Sequence, residues 1–399
     1  MNKVPQGHFC FDKSKQVTRG FSLIEIIISL AILAIMFSFM FYFISTIMLK
    51  NKLTNNKPFM LTDYNYSNKY CHLNENQQSN LSIAQTLNMG AYISTTTPIT
   101  SISIFNKNKL IVTTNSASTT EKDIFLFDFV IISNQISLTL LQSLDIGPGI
   151  NDALLHDNFL YLLNTSINSH VKTLKINSNN TSMSQVGDIK IDSLRSSGAL
   201  PKKVYLYNKN LLIGTEKNNS GGELFVLPID QNNIPKLPTK SIELGGQVSD
   251  IYENQRNIFV ANASDTELFV YNTDFNSTFA YDAPLSLGNG KSVYYQEPYI
   301  YLGRTVASFE LFFLEIKNLT LNYINKYKAY GSIDFIQNVD QNILILSSAG
   351  NKEFQMYDKQ LHILKTVDLP DRVSSYMCFE NSFLFSILIN NQANILWLK

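Results

Sequence analysis

The chain has 399 residues with 32 basic and 32 acidic side chains, and its zero formal charge removes any global electrostatic case for nucleic acid or an anionic bilayer as a partner. Hydrophobic residues make up 45%, ample for a packed core, while the length exceeds one ordinary domain and calls for subdivision or repetition. Only 3 cysteines, Cys10, Cys71 and Cys378, exclude a disulfide-dense scaffold and a four-cysteine zinc site.

From Phe21 to Leu49 the sequence FSLIEIIISLAILAIMFSFMFYFISTIML is apolar apart from Glu25 and a few hydroxyls. At about 1.5 Å per residue it is long enough to cross a hydrocarbon core of about 30 Å, so it is read as a single transmembrane helix. Lys3, Lys13, Lys15 and Arg19 precede it against Asp12 alone. That excess of positive charge holds the N-terminus in the cytoplasm and exports the C-terminal mass of the chain. A secretory signal has a shorter apolar core followed by a small-residue cleavage site, and neither feature is present.

The run KQVTRGFSLIEIIISLAIL, Lys15 to Leu33, resembles the N-terminus of type IV prepilins and pseudopilins in its basic leader, its glycine at the cut, its aromatic residue just after it and its glutamate five positions in. The resemblance covers about the first fifty residues. It implies that a prepilin peptidase cuts between Gly20 and Phe21 and methylates the new Phe21 amine, and that Glu25 pairs with an N-terminal amine in a growing filament. A lone carboxylate in a membrane helix costs roughly 2.5–3.5 kcal/mol, so a partner of this kind accounts for Glu25. A plain signal anchor with its glutamate at the interface is the simpler alternative.

These readings divide the chain into a leader (1–20), a membrane or filament helix (21–55), a polar linker (56–80) and a repeated part (81–399). Pro58 and its asparagine neighbours end the helix. As a flexible coil the linker reaches roughly 30 Å, enough to tether a head.

From Leu81 onward one phrase recurs: three β-rich runs separated by polar turns, then a short strand usually ending in glycine. Val248 to Gly288 is the clearest copy, and others run from Ile102, Ile150, Val204, Ser292 and Ile333. Second-strand anchors such as LIVTTN (Leu110), FLYLLN (Phe159), IFVANA (Ile258) and ILILSS (Ile343) align, and so do third-strand runs such as DIFLFDF, ELFVLPID and ELFVYNTD. A period of about 40–55 residues with four strands per copy predicts a mainly β fold, a seven-bladed β-propeller, or six-bladed if two weak copies merge. The last copy, Val373 to Lys399, lacks an outer strand, and SIAQTLNMG (Ser82 to Gly90) supplies one, closing the ring. Asn257 to Asp274 resembles the tyrosine-valine-threonine-asparagine repeats of surface-protein propellers.

Serine-hydrolase elbows, HExxH helices, EF-hand loops and dinucleotide fingerprints are all absent, and no catalytic residue is assigned. Asp152, Asp250 and Asp334 fall at the start of the innermost strand of three blades. Converging at the channel mouth, they would offer hard oxygen ligands to Ca²⁺ or anchor a sugar or peptide; otherwise they are polar because the channel holds water. Cys71 and Cys378 face an oxidising compartment and could bridge, while the simpler reading of Cys378 is a small buried hydrophobe.

The expected function is therefore a minor type IV pilin or pseudopilin, inserted in the inner membrane and displaying a propeller head to a glycan or protein partner. Its assembly partners are the prepilin peptidase, other pilin subunits and the membrane, with no nucleic acid expected and no cofactor required beyond the Ca²⁺ considered above. A tethered propeller enzyme of lactonase, lyase or glycosidase type and a type II secretion pseudopilus component remain alternatives.

Overall fold

The computed structural model describes residues 73, 78 and 80–399, save 95, 119, 283–287, 306–307, 318–319, 349–351 and 380. Seven four-stranded antiparallel sheets follow one another around a ring. Six are built from consecutive strands, with innermost strands at Ile99–Phe105, Ile150–His156, Pro201–Tyr207, Gln247–Asn254, Gly290–Gln296 and Ile333–Val339. The seventh joins the first and last strands of the propeller. Strand β1 (Ile83–Asn88) pairs with β28 (Gln392–Leu398), from Ile83 opposite Leu398 to Asn88 opposite Asn394, outside β27 (Ser382–Ile389) and β26 (Val373–Phe379). Seven blades and the closing strand agree with the repeat count, and no two weak copies merge.

The second strand of each blade is buried on both faces because it lies inside a sheet packed between two neighbouring blades. This is why those segments read as continuous apolar runs. Outer strands face water and alternate or turn polar, as in Gln135–Leu144 and Thr320–Tyr327. The turn from innermost to second strand uses residues that tolerate positive φ, such as Asn106 with Lys107 and Asn208 with Lys209. Two consecutive positive φ values match the right-handed twist of a tight hairpin.

Two features repeat around the ring. Every innermost strand has a bulge near its start, two residues opposing one, at Thr100, Asn151, Lys202, Ser249, Lys291, Asp334 and Ser374. The second is a buried polar side chain just before or within the third strand that accepts a backbone N–H from the end of the outer strand. Asp123 accepts from Ile146, His170 Nδ1 from Ile191, Glu223 from Leu244 and Gly245, Glu310 from Ala329, and Glu353 from Leu369. In the fourth blade Glu267 occupies this place and pairs with Arg304 of the fifth at 2.5 Å, both buried. Bonds to a charged acceptor are about twice as strong as neutral ones, so each ionised carboxylate of the set fastens the outermost, least packed strand to its blade, and His170 does the same as a neutral imidazole.

Among the described residues no helix is long and apolar enough to cross a membrane. The expected spanning segment, with Gly20, Phe21 and Glu25, lies outside them.

Candidate functional site: the axial channel

The innermost strands of all seven blades line a central cavity of about 1110 Å³. Because the bulge shifts register, two successive rings of side chains form at its mouth. The bulge positions give one; the residues after them, Ser101, Asp152, Lys203, Asp250, Ser292, Phe335 and Ser375, give the other.

Asp152 and Asp250 occupy equivalent places in the second ring. Each accepts a backbone N–H from the next blade at 3.0 Å, Asp152 from Val204 and Asp250 from Val293. Between them stands Lys203, whose Nζ lies 3.8 Å from Asp152 and 3.7 Å from Asp250. The same ammonium is 5.9 Å from the centre of the Phe335 ring, three blades further round, so it reaches across the channel. Burial disfavours charge on Lys203, but the two carboxylates outweigh it and hold its titration above the ordinary lysine value. Burial pushes both aspartates upward, against the pull of Lys203 and the backbone amides.

Asp334 stands elsewhere. It sits in the bulge itself, one residue earlier in register than Asp152 and Asp250. Arg372 from the seventh blade grips it through Nε and Nη2, both at 2.8 Å, and Lys291 from the fifth blade closes on it from the other side. Its side chain is 5% exposed. The three aspartates thus line one cavity but do not form one carboxylate set, and among the described residues no group of three or more His, Cys, Asp or Glu is placed to hold a metal ion. Asp152 and Asp250 share the one ammonium of Lys203, Asp334 has two cations to itself, and all three tie blade to blade.

Neighbouring hydroxyls and amides complete this belt: Ser101 donates to Ala153 O, Asn151 to Pro201 O, Ser292 to Ile333 O and Ser374 to Ile99 O. A polar residue at or beside the bulge in every blade marks the belt in the sequence, whereas its hydrogen bonds from blade to blade do not show there. Further along the strands the wall turns aromatic, with Tyr252 against Tyr294 at 4.9 Å between ring centres, while Phe335 of the mouth ring packs on Tyr376 at 5.1 Å. Such a wall, charged at the mouth and aromatic below, suits a polar ligand with flat or ring-shaped apolar faces.

Cys378 is disulfide-bonded and fully buried. Cys71, the other member of the expected bridge, lies outside the described residues.

At the other end of the chain the comparison is decisive. Residues 16–41 match the prokaryotic N-terminal methylation motif. Gly20, Phe21 and Glu25 all fall inside that span. The chain therefore carries a prepilin-type start, which implies membrane insertion, joined to a seven-bladed propeller. No curated protein matches the sequence. Solved structures resemble the ring. Virginiamycin B lyase from Staphylococcus aureus is 10% identical, with a TM-score of 0.57 over 80% of this chain and 99% of that one. A putative 6-phosphogluconolactonase from Bacteroides fragilis is 14% identical, with a TM-score of 0.57 over 72% and 89%. The WD40 β-propeller domain of Doa1 is 7% identical, with a TM-score of 0.53 over 80% and 97%. At such identities the likeness is one of fold.

Proposed function

We propose that this protein is a minor pilin or pseudopilin, inserted in the cytoplasmic membrane by its N-terminal helix, then assembled into a filament that displays the propeller for adhesion or partner binding. The observation that carries this reading is the methylation motif on the same chain as a complete propeller. A head of over three hundred residues is roughly 50 Å across by the usual scaling of size with length. Its helix is only about 10–12 Å wide with side chains. Subunits packed helix to helix have no room for such a head on each, so the protein is a sparse or terminal component.

The propeller acts by recognition rather than catalysis. Asp152, Asp250 and Asp334 are held by cations and backbone amides, which supports a role in building the mouth of a binding site over acid–base chemistry. The ligand class that fits is a glycan or peptide bearing polar groups for the mouth and a flat face for Tyr252 and Tyr294.

Immunogold labelling of sheared filaments tests the assembly reading. Sparse label at filament ends is expected. Dense label along the shaft would contradict a minor role, and filaments that never carry label would contradict assembly altogether.

A further inference from the structure

The strand that closes the ring is also the first strand after the tether. Ser82 and Lys399 exchange both backbone hydrogen bonds at 3.0 Å, and β1 runs on from there beside β28. A pull on the chain before Ser82 would therefore load that first pair alone. It would then peel β1 away one bond at a time, the weakest way to load a strand, and the ring would open.

The structure places an anchor upstream of that point. Leu73 and Leu81, each 3% exposed, share a core cluster with Cys378, Val339, Phe383 and Leu396. The Leu73 amide donates to Asp340 Oδ2 at 2.7 Å, in the turn that ends the innermost strand of the sixth blade. The Gln78 amide donates to the Leu73 carbonyl at 2.8 Å. Leu73 and Leu81 are thus seated between the sixth and seventh blades, in one cluster with a cysteine that is disulfide-bonded.

Only two other cysteines exist. Cys10 lies ahead of the methylation motif, 63 positions before Leu73, whereas Cys71 is two residues from Leu73 and so within about 7 Å of it along the chain. We propose that Cys378 is bonded to Cys71 and that this bond is a strain relief: tension on the tether enters β26, the innermost strand of the seventh blade, and β1 carries none. The mechanical role rests on the reading that the helix is anchored in a filament; the bond rests on the packing of Leu73 beside Cys378. Forming it takes one proton and one electron from each thiol. The acceptor is the disulfide of a thiol oxidoreductase in the exported compartment, which is left as its dithiol.

Non-reducing digestion of the full-length protein in detergent, followed by mass mapping, should return one peptide pair linked through Cys71 and Cys378. Linkage to Cys10, or complete alkylation of Cys378 without reductant, would overturn the assignment. Force spectroscopy tests the role on the same full-length protein, held at its N-terminus and at an azide-bearing residue replacing the exposed Asn276 in the fourth blade. Reduced protein and a Cys71→Ser variant should show a first extension step from residues 72 to 98 as β1 peels, and the oxidised protein should lack that step. The same first step with and without the bond would refute strain relief. If Cys71→Ser fails to fold, reduction of the wild type while it is held gives the same comparison. An unprocessed N-terminus with an intact Cys71–Cys378 bond would sink the filament reading alone.

Discussion

Glu253 is the last residue but one of the innermost strand of the fourth blade, is 5% exposed, and its Oε2 has no hydrogen-bond partner. Burial alone pushes its pKa up to about 7 from an ordinary 4.5. A tenfold change in proton affinity is worth about 1.4 kcal/mol, so ionised Glu253 costs the folded state about 3 kcal/mol. Because the folded value lies above the unfolded one, the cost is present in full above pH 7. It disappears as the pH falls from 7 toward 4.5, where the folded state takes up a proton that the unfolded chain does not yet hold. Glu253→Gln has no proton to take up. Urea unfolding of both proteins at pH 5 and pH 8 should therefore show the wild type losing about 2–3 kcal/mol more than the variant over that interval, with the variant the more stable at pH 8. Groups common to both, Asp123 included, cancel in the comparison. Equal losses, or a variant weaker at pH 8, would refute the claim that this carboxyl is buried at a cost.

The same geometry sets other outcomes. Arg304→Met leaves Glu267 charged and buried and should cost about 3–5 kcal/mol of stability, whereas Arg304→Met with Glu267→Leu should recover most of it, as read by urea denaturation. Gly222→Ala would put a Cβ 2.3 Å from the backbone of Ile242 and should lower stability by about 1–3 kcal/mol in the same assay. Asp250→Asn weakens the hold on Lys203 without emptying a metal site, so metal content by elemental analysis should not change; loss of a bound cation would restore the calcium reading. Glu25→Ala should leave cleavage by the peptidase intact but remove the protein from sheared filaments on immunoblots.

The blade count and the closure were legible because each depends on patterns the sequence states openly. Buried second strands must be apolar throughout, and SIAQTLNMG matches the outer strands of other copies even though its partner Gln392–Leu398 lies at the far end of the chain. The register of the channel mouth was not legible. A bulge adds a residue without changing composition, so Asp334 aligned with Asp152 and Asp250 in sequence while standing one place earlier in space. The acidic residues before the third strands were in plain view in DIFLFDF and ELFVLPID. Their partners are backbone amides at the end of the outer strand, up to about twenty residues on, and an amide leaves no mark in a sequence. Cys378 was open to two readings, a small buried hydrophobe or half of a bridge, and it is both buried and bonded.

The central claim is that a prepilin-type start delivers a propeller to a filament, and the N-terminal mass of the protein tests it most directly. Protein from cells with prepilin peptidase should begin at Phe21 with a methylated amine, and protein from cells without it should retain Met1. A chain that keeps Met1 in both strains would contradict the account and leave a propeller held in the membrane by an uncleaved anchor.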